Sequence, residues 1–168
     1  MRNRWLAFGL GLSLVVSGCA SSSGLETYRP KDADEAAVVS SLARIPNGFK
    51  GKSVEMVMQP YADDLYVGNF HKYLGPASPT APVSISKAEL REVYTQIFRG
   101  FKEVSLDVKD VRLTVNGDRA VAEAKTELVL KNEAGRGESK KGDLFRNEVI
   151  WRMRRTPAGW KIVEEIWQ

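Results

Sequence analysis

Two rhythms of apolar residues divide the chain. Up to about residue 100 they recur at three- and four-residue spacings, as on one face of a helix; beyond it they alternate, as on one face of a strand. Asp32 opens the first helical stretch with Glu35 in the capping-box position. Val38, Leu42 and Ile45 form its stripe, and Pro46-Asn47-Gly48 is expected to end it. A shorter helix is expected from Ser53 to about Gln59, stopped by Pro60, and a brief apolar piece, Leu65-Tyr66-Val67, follows. Residues 68–85 lack a pattern and hold Pro76, Pro79, Pro82 and His71; such a stretch inside a compact domain is either functional or mobile. Ser86-Lys87-Ala88-Glu89 is a capping box, Leu90, Val93, Tyr94, Ile97 and Phe98 share one helical face, and Gly100 is expected at the C-terminal cap.

Val104, Leu106 and Val108 then alternate on even positions, and Val111, Leu113 and Val115 on odd ones, so the phase switch predicts a β-bulge near Lys109-Asp110. Asn116-Gly117 marks a hairpin. Ala120 to Leu130 alternate, residues 131–143 form a polar loop, and Phe145, Val149, Trp151 and Met153 line one face of the next strand. Thr156-Pro157-Ala158-Gly159 turns the chain into a last strand from Trp160 to Trp167. Helices first and strands last give an α+β domain: a strongly bent antiparallel sheet of about four long strands plus a short one, wrapped around two to three N-terminal helices.

Composition changes the picture mainly at the N-terminus. The apolar run from Trp5 to Val16 follows Arg2 and Arg4 and is too short for a membrane-spanning helix, which needs about 20 residues. It ends in Val16-Ser17-Gly18-Cys19, which resembles a bacterial lipobox. That resemblance implies a signal peptide over residues 1–18, a lipid-modified Cys19 as the first mature residue, and a location on the periplasmic side of a membrane. Ala20 after the cysteine is similar to an outer-membrane sorting signal. Residues 19–31, rich in Ser and Gly, read as the lipidated cysteine and a flexible tether. Cys19 is the lone cysteine, so lipidation removes the chain's thiol from catalysis and no internal disulfide forms. Removing Arg2 and Arg4 from a formal charge of +4 leaves +2, a weak basis for nucleic-acid binding, and no nucleic-acid partner is expected.

The order of elements over residues 32–168 resembles the nuclear transport factor 2-like superfamily, which includes SnoaL-like and ketosteroid isomerase-like domains. The residues that carry the resemblance are Tyr61-Ala62-Asp63-Asp64, the hairpin Asn116-Gly117-Asp118-Arg119-Ala120 and the closing Gly159-Trp160-Lys161-Ile162-Val163. It implies a cone with a pocket at its open end. The superfamily hosts isomerases, dehydratases and binding proteins alike, so function has to be argued from the site.

The candidate chemistry is sparse. Asp63 or Asp64 suits a base at the pocket rim, or a cap on backbone N–H groups at a turn. His71, the lone histidine, suits a dehydratase-like site or a solvated surface. Strand alternation puts Asn147 on the face of Phe145, Val149 and Trp151, and Glu164 on that of Trp160, Ile162 and Ile166, where burial would raise its pKa. Tyr61, Tyr94, Asn147, Trp151 and Glu164 are therefore the expected pocket lining, and Asp64, His71 and Glu164 the catalytic candidates. Lys140, Lys141, Arg146, Arg152, Arg154 and Arg155 form either a contact for anionic head groups or a solvated sheet face. No metal-ligand spacing, phosphate loop or cofactor motif occurs. The expected function is a lipid-anchored, non-enzymatic periplasmic domain that binds a small apolar ligand or a partner protein, with a homodimer through the sheet face as one arrangement. The alternative is an isomerase, dehydratase or hydrolase with an acid–base site in the cone.

Overall fold

The computed structural model describes residues 24–73, 81–132 and 143–168. The Cys19 signal, Lys140 and Lys141, and parts of the 68–85 and 131–143 loops lie outside them. Among the described residues, four α-helices precede or interrupt a six-stranded sheet: α1 (Ala33–Leu42), α2 (Arg44–Lys50), α3 (Val54–Met58) and α4 (Lys87–Gly100), with β1 (Tyr61–Gly68), β2 (Ser84–Ser86), β3 (Glu103–Asn116), β4 (Arg119–Lys131), β5 (Asp143–Thr156) and β6 (Gly159–Trp167). The sheet order is β2-β1-β6-β5-β4-β3. All neighbours are antiparallel except β1 and β6, which run parallel. The architecture is the expected α+β one, but the sheet is mixed and has six strands. The short β2 lies inside the stretch that showed no pattern, where three residues are too few to show a period.

The first helix divides in two. Asp32 caps α1 by accepting from the Glu35 N–H at 2.8 Å. Pro46 then falls in the first turn of α2, where a missing N–H costs nothing, so it opens a helix instead of ending one. Gly48 sits inside α2 because α3 crosses there: a Cβ would lie 2.4 Å from Val57 Cγ2 and 2.7 Å from the Val57 nitrogen. Ser53 caps α3 and Ser86 caps α4 with the full reciprocal box. Gly100 is the last residue of α4, and extended Phe101 holds the cap position.

The bulge in β3 is where the phase switch puts it: pairing with β4 shifts between Lys109 and Arg112, and Asp110 takes φ +53°. It keeps both Val104–Val108 and Val111–Val115 facing inward. In the β3–β4 hairpin Asn116 pairs with Arg119, so Gly117 and Asp118 are the central residues, with Gly117 at φ +60°, as a type II′ turn requires of its first position.

The segment from Gly24 is not a free tether. Leu25 is buried in the main core, and its N–H donates to the Val108 carbonyl on edge strand β3 at 3.3 Å. Thr27 and Tyr28 close a turn on the Gly24 carbonyl, and the Tyr28 hydroxyl and Lys31 N–H both donate to Glu35 Oε2, at 3.2 and 2.9 Å. Ser and Gly suggested a flexible chain, but Leu25 and Tyr28 supply apolar surface that the open edge of β3 can cover.

Candidate functional site: a buried carboxylate in the cone

The inward faces of β4, β5 and β6 meet β1 and α4 over a set of large side chains. Trp151, Trp167, Tyr61, Tyr73 and Tyr94 are among the largest fully buried ones. Tyr73 packs on Trp167 with ring centroids 4.4 Å apart, and Phe49 sets its edge against Tyr94 and Phe98, each at 5.2 Å. Space that an open cone would leave to a ligand is occupied by aromatic rings.

One carboxylate sits among them. Glu165 is 1% exposed. Its Oε2 accepts from the Tyr61 hydroxyl and from Trp151 Nε1, both at 2.7 Å, and its Oε1 accepts from Trp167 Nε1 at 3.1 Å. Burial raises its pKa, and the three donors, which favour the anion, offset only part of that. Burial and then the carboxylate push the Tyr61 hydroxyl well above the ordinary phenol range and raise Tyr73; for Tyr94, also pushed well above it, burial is followed by the neighbouring Tyr61 and then Glu165. The Tyr73 hydroxyl is buried without a hydrogen-bond partner.

Glu165, and not the expected Glu164, is the inward carboxylate. Met153 pairs with Ile162 while Arg152 pairs with Glu164, so Val163 is an extra residue in β6. Before this bulge the even positions Trp160 and Ile162 face inward; after it the odd positions Glu165 and Trp167 do. Glu164 is turned outward into an ion pair with Arg152. The signal was present in the sequence, because Trp167 is out of phase with Trp160 and Ile162, the same kind of switch that marks the β3 bulge.

Of the expected lining, Tyr61, Tyr94 and Trp151 come together in the interior around Glu165. Asn147 is half-buried beside them and donates through Nδ2 to the Tyr73 backbone carbonyl at 2.9 Å. The catalytic candidates do not converge. Asp63 and Asp64 lie in β1, not in a turn, and are exposed on its outer side, away from the interior around Glu165: Tyr61 pairs with Ile162 and Tyr66 with Glu164, so residues 62–65 bow out of the ladder. There Asp63 takes an ion pair from Lys87 at 2.7 Å, which holds its carboxyl below the ordinary range, and Arg154 holds both oxygens of Asp64 at 3.1 Å. His71 lies in a 3-10 turn (Phe70–Lys72), with Nδ1 buried and unpartnered.

The described members of the basic set each have an acidic partner: Arg146 with Glu127, Arg152 with Glu164, Arg154 with Asp64 and Arg155 with Asp34. Among the described residues no group of His, Cys, Asp and Glu is placed to hold a metal ion, and no helix is long and apolar enough to cross a membrane. A concavity of about 950 Å³ lies outside the cone between α3, β1, the start of α4 and the β5–β6 turn. Met56, Ala62, Asp63, Asp64, Lys87 and Arg154 are among its lining, so the Lys87–Asp63 and Arg154–Asp64 ion pairs stand on its wall, and Met56 is exposed.

Residues 63–165, which hold most of β1, all of α4 and β3 to β5, and β6 as far as the buried Glu165, match the model of the SnoaL-like domain. The chain belongs to that family. The SnoaL-like match is supported by solved structures of the same fold. The Kfla4162 protein from Kribbella flavida is 16% identical, with a TM-score of 0.67 over 80% of this chain and 89% of that one. An NTF2-like protein with a cystatin-like fold from Novosphingobium aromaticivorans is 17% identical, with a TM-score of 0.60 over 80% of each chain. A candidate dehydratase of the NTF2-like family from Streptomyces avermitilis is 18% identical, with a TM-score of 0.62 over 81% of this chain and 96% of that one. Identities this low speak for the fold alone. No curated protein matches the sequence.

Proposed function

We propose that this SnoaL-like chain is a lipid-anchored protein of the periplasmic side, at the outer membrane, whose domain binds a protein partner and catalyses no reaction. The observation that carries the binding reading is the filled cone. Trp151, Trp167, Tyr61, Tyr73 and Tyr94 occupy the interior, and both oxygens of Glu165 face donors. An acid–base site needs titratable groups within reach of one substrate. Here Asp64 and Glu164 are engaged with arginines on the outer side and His71 sits in a separate turn. A packed interior disfavours a small apolar ligand, and on the outer surface the concavity beside exposed Met56 offers a face for a partner. The concavity carries ion pairs of its own, Lys87–Asp63, Arg91–Glu55 and Arg154–Asp64, beside exposed Met56, so it offers a partner an apolar contact ringed by charge. The apolar run ending in Val16-Ser17-Gly18-Cys19 supports the anchor.

In cells, Cys19→Ala is expected to move the protein from the membrane fraction to the soluble one and to block cleavage after Gly18. In the same membranes, a photo-crosslinking residue at position 56 is expected to give one discrete adduct, and one at exposed Val121 none. A Cys19→Ala protein that is cleaved and stays with membranes refutes the anchor, and silence at position 56 refutes the partner surface.

One observation favours a second reading. Glu165 with a raised pKa, next to two phenols, is the kind of group that serves as an acid in an isomerase or dehydratase. That reading requires the interior to admit a ligand, and indole or a similar ring would then raise the melting temperature of the wild-type chain.

A further inference from the structure

From the turn at Gly24–Tyr28 we infer that this segment is a clasp that docks the N-terminal chain on edge strand β3, so that an anchored Cys19 holds the β3 edge against the lipid surface and turns the β1-side concavity away from it. Three observations carry it. The Leu25 side chain is in the core, and its N–H reaches the Val108 carbonyl at 3.3 Å. A Cβ at Gly24 would stand 2.9 Å from the Val108 oxygen, so the approach is backbone on backbone and suits glycine. The segment's far end is held by Tyr28 and Lys31 on Glu35, itself buried at the start of α1.

The consequence is geometric. A chain free to Lys31 reaches about 40 Å from Cys19, at roughly 3.3–3.6 Å per residue; a chain pinned at Gly24 reaches about 17 Å. The first allows the domain to tumble beside a membrane. The second is shorter than the sheet is wide, since five strand spacings of about 4.8 Å span roughly 24 Å. β3 is the terminal strand at one edge, and β1 lies at the other beside the short β2. The concavity lined by Met56, Ala62 and Lys87 is on the β1 side. The clasp therefore sets which edge meets head groups and which meets the periplasm.

The inference takes its biological setting from the lipid-anchor reading of Cys19, but its test does not. Because Cys19 is the lone cysteine, the chain from Cys19 onward, which keeps every described residue, can be coupled through that thiol to a maleimide lipid in phosphatidylcholine nanodiscs. With nitroxide-headgroup lipids present, amide resonances of Val104–Lys109 should broaden more than those of Ala62–Leu65. Leu25→Ser should even out the two sets and speed exchange of the residue-25 amide, relative to the intrinsic rate of each residue type, by about tenfold or more. Inserting about ten Gly and Ser residues between Cys19 and Gly24 should keep the slow Leu25 amide and abolish the edge preference. Equal broadening at both edges in the parent chain, or a protection factor at position 25 indifferent to Leu25→Ser, overturns the clasp. Failure of natural lipidation appears separately, in the fractionation of Cys19→Ala.

Discussion

Replacing Glu165 by leucine is expected to lower folding stability by about 3–5 kcal/mol, a large share of the roughly 5–15 kcal/mol that holds a domain together. Leucine fills most of the carboxylate's volume but accepts nothing. The indole N–H groups of Trp151 and Trp167 have no lone pair and no other recorded acceptor, and the Tyr61 hydroxyl loses its partner too. Each buried donor left unpaired costs about 1–3 kcal/mol, and recovering the desolvation of the carboxylate offsets only part of the total. Glutamine should cost less, about 1–3 kcal/mol: its oxygen can serve Tyr61 and Trp151, while its amide N–H groups must face the Trp167 N–H. Urea unfolding with the slope checked for constancy measures both. A leucine variant as stable as the parent would show that the carboxylate is kept for chemistry and not for packing.

The same group gives a pH signature. The folded pKa of Glu165 is raised, so the folded state holds its proton to higher pH than the unfolded chain does. Its contribution is full below the unfolded value of about 4.3 and declines as pH rises from there through the folded value. Asp63 and Glu127, held below their ordinary range by lysine and arginine partners, act in the opposite sense: their contribution is present above the unfolded value and is lost as pH falls through the folded one. The loss above pH 4.3 should vanish in Glu165→Leu and the acid-side loss should remain.

How far this arrangement was legible in the sequence depends on how many residues carried the signal. The β3 bulge separates two runs of three apolar residues, so the switch of phase at Lys109-Asp110 is unambiguous. The β6 bulge has Trp160 and Ile162 on one side and Trp167 on the other, with Glu164 and Glu165 between them; two adjacent identical residues hide which of them points inward. The bow in β1 carries no such mark, because Ala62 to Leu65 keep an extended backbone while leaving the ladder, and their displacement is set by the partner strand. Pro46 misled for a different reason: proline stops a helix from within but suits the first turn of α2, and Gly48 inside that helix is accounted for only by Val57 of α3 lying against it. Among the three donors that meet on one carboxylate, Tyr61 reaches Glu165 from 104 positions away, which no local pattern encodes.

Trp151→Ala carries the other large expected effect, about 3–5 kcal/mol of destabilisation, and it also tests whether the family's pocket is latent here. Trp151 is 1% exposed and stands at the centre of β5, held by ladders to β4 and β6 on both sides, so the backbone has little room to close the hole. The cavity left behind is the shape of an indole, with Glu165 Oε2 on its wall at the place where Nε1 donated. Added indole should re-enter it, donate to the same oxygen and restore stability as RT ln(1 + [L]/Kd), about 2.7 kcal/mol at a hundredfold excess over Kd. Thermal unfolding of the variant with and without indole reads this directly, and the wild-type midpoint should not move. Rescue of the variant alone means that the cone keeps the pocket's wall and polar group but fills the space with its own tryptophan, as a binding module that works from its outer surface would. An upward shift of the wild-type midpoint would instead mean that the rings part to admit a ligand, and Glu165, Tyr61 and Tyr94 would then stand as the acid and donors of an enzyme site.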